Sequence, residues 1–282
     1  MSAKNTDQAV IDGIRRTINR FRENPFYYFT ESDIHASLVR DILSGNSDKF
    51  YLPTTKDNLR LSMVHLEYPT NFKFSRSTAT TFIEERTSEV IKQRGNLDLV
   101  VLNAEVLKEI ISKSTDKLIQ FLRGVISKDV LMNEKIYALN GHQIGQLIDF
   151  AIEVKFFHFN NAGMEIFEQV RIDNFKLDQA VKATKEIKPI NLIFCYYWSD
   201  GKKNEVWETR LREFRNNLSL GKIGLNNLTQ DIPDDILNIF IEANINPDAV
   251  KSTKKPACCY KHDATDLPDW VRSLTSGYEI LP

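Results

Sequence analysis

The stretch Phe150-Ala151-Ile152-Glu153-Val154-Lys155-Phe156-Phe157 decides the fold that we predict for this chain. It is apolar apart from two charged residues, which is typical of a strand that lies inside a sheet and is covered on both faces. Side chains two residues apart project from the same face of a strand, so Glu153 and Lys155 stand side by side. Val154 points into the opposite layer. Two charges therefore interrupt a wall that is otherwise apolar.

Further strands and helices are predicted on both sides of this stretch. Leu97-Asp98-Leu99-Val100-Val101-Leu102 follows a turn and reads as a strand whose one charge is Asp98. Other strands are predicted over 61–68 and 189–197. Helical spacing of apolar residues predicts helices over 9–21, 31–44, within 104–148, from 160–163 to about 187, over 204–218 and over 234–243. This order predicts an α/β fold, a mixed central sheet flanked by helices.

Three segments are less regular in this pattern. Residues 104–148 are predicted to be a helical insertion between two strands. Residues 78–93 combine β-branched side chains with glutamates and fit a strand or a helix. The tail after 247 has little periodicity.

The composition is that of a folded globular chain. Hydrophobic residues make up 42% and charged residues 27% of the 282 residues, which excludes disordered, collagen-like and disulfide-framework proteins. Lys and Arg number 37 against 38 Asp and Glu, a formal net charge of -1. No overall basic field therefore attracts nucleic acid or anionic lipid, and any site for a polyanion has to be local.

The sequence also gives an expectation for the compartment. No apolar run approaches the roughly 18 residues that span a bilayer, and residues 1–19 lack the apolar block of a secretory signal. Cys258 and Cys259 are adjacent and Cys195 lies in an apolar run, which matches neither zinc-ligand spacing nor a disulfide framework. We expect a cytoplasmic protein that is neither exported nor inserted into a membrane.

Asp98, Glu153 and Lys155 are the candidate catalytic residues. A buried carboxylate is costly unless it is paired or binds a metal, so one in each of two buried strands indicates a shared ligand. Carboxylate oxygens with waters form the shell that Mg²⁺ prefers, and such an ion stabilises charge on a phosphoryl group. Lys155 could orient a water or neutralise that charge. The alternative is a Glu-Lys pair on a wetter sheet face. The same spacing recurs in Glu186-Ile187-Lys188, which belongs to a solvated helix end.

These residues and the order of elements resemble the PD-(D/E)XK nuclease superfamily. Its core is a helix, then strands that carry an aspartate and a (D/E)-x-K triplet, then a helix and a further strand. The resemblance implies that Asp98 is the motif aspartate, Glu153 the second acid and Lys155 the lysine, with the backbone carbonyl of Val154 as a metal contact. It also implies that Glu31, on the N-terminal core helix, completes the site.

The resemblance implies a restriction-endonuclease-like core over 25–200, with the helical insertion at 104–148. An N-terminal helix over 1–24 precedes this core, and C-terminal helices and a tail over 201–282 follow it. A polar or basic residue on the helix after the triplet often faces the site in this superfamily. The candidates on that helix are Gln169, Asp173 and Lys176.

The implied activity is Mg²⁺-dependent hydrolysis of phosphodiester bonds in DNA, as in restriction, phage defence or repair, with Mn²⁺ as a substitute metal and a 5′-phosphate on the product. A homodimer is expected because cutting both strands takes two sites. Two alternatives stay open. One is a non-catalytic nucleic-acid-binding or assembly module, and the other is an RNA-cleaving enzyme, because the site chemistry does not distinguish the sugar.

The other motifs give weaker indications of function. The five histidines have no zinc-ligand spacing, and the chain has no Gly-x-Ser-x-Gly elbow, Walker loop or Gly-x-Gly-x-x-Gly. Glu67 is either a further acidic ligand or an exposed carboxylate at a strand end. The aromatic run at 26–29 either stacks on bases or packs into the core beside a helix start.

Overall fold

The computed structural model describes residues 3–45, 47–54, 60–74, 93–109, 111–112, 138–139, 142–143, 147–157, 165–183, 187–197, 205–225, 229–246, 254–261 and 267–281. The chain divides into two compact units. The first unit is made of Met1–Asn46, Ile152–Asp178 and Pro189–Pro282, and the second of Ser47–Ala151 and Gln179–Lys188.

The helices and strands of the described residues alternate along the chain. The helices are α1 (Ala3–Glu23), α2 (Glu31–Leu43), α3 (104–109), α4 (Glu165–Ala183), α5 (Glu205–Ser219) and α6 (Asp269–Thr275). The strands are β1 (Tyr51–Pro53), β2 (Arg60–Ser62), β3 (Val64–Phe74), β4 (Gln93–Leu102), β5 (Ala138–Leu139), β6 (His142–Gln143), β7 (Ile148–Phe157), β8 (Lys188–Tyr197), β9 (Lys222–Ile223), β10 (Gln230–Asp231), β11 (Leu237–Asn244), β12 (Ala257–Cys259) and β13 (Glu279–Ile280).

Seven of these strands form one mixed sheet in the order β13-β12-β11-β8-β7-β4-β3. Strand β11 runs parallel to β8 and antiparallel to β12, and β3 runs antiparallel to β4. The α/β fold with a mixed central sheet flanked by helices, as predicted from the sequence, is therefore confirmed. No helix among the described residues combines the length and the apolar character needed to cross a membrane.

The first unit packs helices on both faces of its strands. Phe21 of α1 contacts Phe194 and Tyr196, which point to one face of β8. The intervening residues of β8 belong to the apolar cluster that packs α4 and α5 on the other face. Opposite faces follow because side chains alternate along a strand. The residues of β8 and β7 are therefore almost all buried, as their apolar sequences predicted.

The second unit is built on the β3–β4 pair and on the start of the insertion. Asn103 ends β4 and caps α3, because its side-chain carbonyl accepts the backbone N–H groups of Glu105 and Val106 at 3.0 and 3.2 Å. Lys188 Nζ pairs with Asp149 at 2.6 Å and lies 4.7 Å from the centre of the Phe150 ring.

The structure confirms most of the predicted elements and extends several of them. The helix predicted over 9–21 lies within α1, and the one predicted over 31–44 matches α2 to within a residue. Strands at 97–102, 150–157 and 189–197 are present as β4, β7 and β8. The strand predicted over 61–68 is two strands, β2 and β3, the second of which continues to Phe74.

The helix predicted over 234–243 is wrong. These residues form β11, which is buried along nearly its whole length and pairs with β8. Ile239, Phe240 and Ile241 are β-branched or aromatic and suit a central strand, where burial outweighs any helical spacing. The two aspartates before them form a turn rather than a helix cap, with Asp235 at φ 66°.

The insertion and the tail also differ from the expectation. Residues 104–109 are helical, but 138–139 and 142–143 form a short hairpin, and 113–137 lie outside the described residues. The C-terminal region was predicted as helices and a tail, yet it also supplies β11, β12 and β13 to the sheet. The ambiguous segment 78–93 falls almost wholly outside the described residues.

Candidate functional site

Strand β7 places the two charged residues of the predicted triplet on one face of the sheet. Glu153 is fully buried, whereas the Lys155 side chain keeps 13% of its surface exposed. Val154, between them, is buried in the opposite layer. The alternation predicted from the sequence is therefore the observed one, and both charges point toward the layer that contains α4.

Helix α4 brings two more charged residues against this face. Lys176 Nζ lies 2.5 Å from Glu153 Oε2 and 3.2 Å from Asp173 Oδ1. The other carboxylate oxygen of Asp173 lies 3.4 Å from Lys155 Nζ. Asp173 and Lys176 are three residues apart, which puts them on neighbouring positions of one helix face. Both are buried.

Helix α2 supplies the fifth charged residue from its first turn. Thr30 caps the helix in a capping box with Asp33, which sets Glu31 at the first helical position. Glu31 Oε2 accepts the backbone N–H of Phe156 at 3.2 Å and lies 3.3 Å from Lys155 Nζ. The N-terminal end of a helix favours an acidic side chain, so this position also suits Glu31 electrostatically.

We call Glu31, Lys155, Asp173, Lys176 and Glu153 the ion-pair network. Acids and lysines alternate along it, and its three carboxylates and two ammonium groups give a formal charge of about -1 at neutral pH. The two ends of the network differ in exposure, which is 34% for the Glu31 side chain and 0% for Glu153. The network therefore reaches solvent at Glu31 and Lys155 and is closed at Glu153.

The ion pair with Lys176 changes the argument made from the sequence about Glu153. A buried carboxylate needs a compensating charge, and the Lys176 ammonium supplies one at hydrogen-bond distance. The burial of Glu153 consequently does not by itself require a metal. The alternative explanation of the triplet was a Glu-Lys pair on a wetter sheet face, whereas the observed partner of Glu153 is Lys176 and the pair is buried.

The ion-pair network contains the type of ligand that Mg²⁺ prefers. Glu31, Asp173 and Glu153 present carboxylate oxygens within one connected group, and hard oxygen ligands are those that Mg²⁺ prefers. The group has more negative than positive charge, which a divalent cation would compensate. Because Glu153 Oε2 already contacts an ammonium group, a cation bound there would compete with Lys176.

The remaining predicted site residues lie as follows. Asp98 is half-buried on β4, and β4 is the neighbour of β7 in the sheet order. Gln169 is exposed on α4, outside the ion-pair network. Glu67 is exposed, has φ 50° and accepts a hydrogen bond from the Asn96 side chain at 3.3 Å, which fits a carboxylate at a strand end.

A buried group of three asparagines was missed by the sequence reasoning. Asn191 and Asn238 are paired neighbours on β8 and β11, and Asn174 Nδ2 on α4 donates to Asn238 Oδ1 at 2.9 Å. All three side chains are buried, and among the described residues neither amide atom of Asn191 has a hydrogen-bond partner. Asn191 and Asn238 each interrupt an apolar strand, which was the signal in the sequence.

Comparisons of the chain with protein-family models, with curated proteins and with solved structures found no match. The site is therefore interpreted from its own residues.

Proposed function

We propose that this chain is a metal-dependent nuclease that hydrolyses phosphodiester bonds, with DNA as the expected substrate. The observation that carries the proposal is the position of Lys155. Its ammonium group lies between the carboxylates of Glu31 and Asp173, on the sheet face that also carries Glu153. A lysine held in this way beside acidic side chains can contact both a phosphate and a metal-binding carboxylate.

In this proposal Asp98, Glu153 and the backbone carbonyl of Val154 hold Mg²⁺, and Mn²⁺ can replace it. When bound, the ion would stabilise charge on the phosphoryl oxygens and lower the pKa of a bound water. Asp98 is included because it is the one charged residue of the apolar run 97–102 in β4.

Lys155 has the role of positioning the attacking water and of donating to a phosphate oxygen. Its partial exposure leaves the ammonium group accessible from solvent, while the carboxylates of Glu31 and Asp173 keep it in one orientation. Glu31 is the most exposed acid of the ion-pair network, so it can accept a proton and pass it to water.

The test is cleavage of plasmid and single-stranded DNA with Mg²⁺, with Mn²⁺ and with EDTA. We expect Glu153→Gln and Lys155→Ala each to reduce the cleavage rate by about 100-fold or more, and EDTA to abolish cleavage. Glu105→Gln and Lys108→Ala are matched controls, because they change the same residue types in an exposed ion pair of α3. Cleavage that is equal in wild type and site variants would contradict the proposal.

A non-catalytic nucleic-acid-binding or assembly module is the second candidate. The closed pair between Glu153 and Lys176 favours it, because a charge that is already neutralised can serve structure alone. Calorimetry with Mn²⁺ separates the two candidates. Uptake of Mn²⁺ that is lost in Asp98→Asn supports the nuclease, and no uptake supports the module. Replacing the DNA by RNA in the cleavage assay tests the RNA-cleaving alternative.

Two further expectations belong to this proposal. A homodimer would supply the two sites needed to cut both strands, and light scattering on the purified protein tests it. A cytoplasmic location agrees with Cys195, Cys258 and Cys259, which are buried free thiols.

A further inference from the structure

Three exposed aromatic rings lie in one short segment between α1 and α2. Phe26, Tyr27 and Phe29 expose 56%, 69% and 73% of their surface, and we call them the aromatic segment. The other large apolar side chains that are exposed in the described part of the chain are aliphatic and scattered. They are Leu66, Val206, Leu220 and Ile280. Concentrated exposure of this kind marks an interaction site more often than single exposed residues do.

The backbone under these rings is held in place at both ends. The Tyr196 hydroxyl donates to the carbonyl oxygen of Pro25 at 2.7 Å and also contacts that of Tyr28. The Asp33 carboxylate accepts the backbone N–H of Phe29 at 2.9 Å and that of the next residue at 2.8 Å. The rings are therefore presented on a preorganised segment, which lowers the entropy cost of binding a partner.

The aromatic segment lies next to the open end of the ion-pair network. Phe29 is two residues before Glu31, and two residues of chain span at most about 7 Å. Glu31 is in turn in contact with Lys155. The rings therefore lie close in the chain to the acidic residue that contacts Lys155.

We propose that the aromatic segment is a stacking platform for the unpaired bases of a single-stranded nucleic acid. The inference rests on the proposed function, since that function brings the strand to Lys155. Every base has a flat π face, so aromatic stacking holds a strand whatever its sequence. The bases of a duplex already stack on one another, so the platform selects single strands and strand ends.

The net charge of the chain is not a source of affinity for phosphates. With 37 basic residues against 38 acidic ones, the protein has no general excess of positive charge to neutralise phosphates. Binding through phosphates would fall steeply with salt concentration, whereas stacking does not depend on released counterions. We therefore expect the rings to supply a measurable part of the affinity for single strands.

The experiment measures binding of a fluorescent single-stranded oligonucleotide by anisotropy, with the full chain and with EDTA present to prevent cleavage. We expect Phe26→Ala, Tyr27→Ala and Phe29→Ala each to weaken binding about tenfold. Tyr27→Phe keeps a ring and should bind as the wild type does. Leu220→Ala is the matched control, because it removes an exposed apolar side chain elsewhere in the same unit.

The outcome depends on three comparisons: DNA with RNA, single strand with duplex, and ring variants with the control variant. DNA and RNA strands of one sequence should bind alike, and the duplex should bind more weakly and show no loss in the ring variants. No binding by the wild type, unchanged binding in all ring variants, or an equal loss in Leu220→Ala would overturn the platform. Ring-dependent binding without any cleavage would contradict the nuclease and support the platform, whereas cleavage with ring-independent binding would contradict the platform alone.

Discussion

Lys176 is the residue that changes the interpretation of the site most. It faces Glu153 across the shortest ion pair of the network and also contacts Asp173. In the folded protein without metal, its ammonium group supplies the positive charge that the buried carboxylate requires. A Mg²⁺ ion bound to Glu153, as we propose, would lie close to the Lys176 ammonium group, and the two positive charges would repel each other.

Replacing Lys176 by methionine tests this competition. We expect Lys176→Met to lower the free energy of unfolding by about 3–5 kcal/mol, because Glu153 stays buried and loses a positive partner. Mn²⁺ should then stabilise the variant more than the wild type, because no ammonium group competes for the carboxylate. Chemical denaturation with and without Mn²⁺ measures both effects.

Lys108→Met is the control for this experiment, since Lys108 forms an exposed ion pair, and it should leave both measurements unchanged. A Lys176→Met protein as stable as the wild type would show that the pair contributes little. A variant that gains no more from Mn²⁺ than the wild type would contradict the competition.

The buried asparagines give a second prediction at this scale. Asn191→Leu should leave stability unchanged or raise it by about 1 kcal/mol, because it removes a buried amide that lacks partners among the described residues. Asn174→Leu should lower stability by about 1–3 kcal/mol, because it leaves Asn238 Oδ1 without its donor. Thermal and chemical denaturation of the two matched variants provide the comparison, and a larger loss in Asn191→Leu than in Asn174→Leu would contradict it.

Single residues were partly predictable from the sequence. Glu153 and Lys155 could be identified because two charges at period two inside an apolar strand have to share a face. The contact between Glu153 and Lys176 could not be, since it depends on how α4 rotates and slides over the sheet. Asp173 and Lys176 were candidates on the correct helix, but nothing in their spacing distinguished them from the exposed Gln169.

The start of α2 is the element on which both proposals depend. It carries Glu31 toward Lys155, and Asp33, the third helical residue of its capping box, holds the backbone of the aromatic segment. Hydrogen bonds from the backbone N–H groups of Phe29 and Thr30 lower the pKa of Asp33, since they stabilise its charged form. A change in this cap should therefore alter stability and the site together.

We expect Asp33→Ala to lower the free energy of unfolding by about 0.5–2 kcal/mol, the usual cost of a lost cap. Because the folded-state pKa of Asp33 lies below its unfolded value, its stabilisation is present above about pH 4 and is lost as pH falls through the folded-state pKa. Denaturation at a series of pH values should show the wild type and the variant converging in acid. Parallel curves would contradict this assignment.

Where α1 and α2 cross, we expect replacement of a glycine by alanine to lower stability, which is the opposite of its usual effect in a helix. A β-carbon at Gly13 would lie 2.6 Å from the Ile42 Cα and 2.7 Å from its backbone nitrogen, so the two helices would have to separate. Alanine normally stabilises a helix by about 1 kcal/mol relative to glycine, but here we expect Gly13→Ala to destabilise by about 1–3 kcal/mol.

Asn19→Ala is the matched control, because Asn19 is exposed on the same helix. It should leave the unfolding midpoint unchanged or raise it, while Gly13→Ala lowers it. A Gly13→Ala protein more stable than the wild type would mean that the helices do not approach as closely as the structure has them.

At the scale of elements, local sequence patterns predicted the helices and strands whose state does not depend on contacts with neighbouring elements. Helices α1 and α2 have clear apolar stripes, and the capping pair at Thr30 and Asp33 located the start of α2. Strand β11 was taken for a helix because a run of apolar residues fits either state until its neighbours are known. It is a strand because it pairs with β8 and β12, and this pairing depends on contacts between residues far apart in sequence.

Across the whole molecule, the sequence predicted the fold class but not every strand of the central sheet. The sequence was sufficient for the α/β class, because buried strands alternate with helices along the chain. It was not sufficient for the strands that the C-terminal region adds, since β12 and β13 are only three and two residues long and leave almost no periodic signal. Short edge strands owe their existence to the sheet beside them.

The central proposal is that the Glu153 carboxylate binds a divalent ion on the sheet face that carries Lys155. The most direct measurement is anomalous diffraction from crystals of the whole chain soaked in Mn²⁺. We predict one strong Mn²⁺ peak in contact with a carboxylate oxygen of Glu153, with Lys176 displaced from this carboxylate. No peak at Glu153, with Lys176 still paired to it at saturating Mn²⁺, would contradict the proposal.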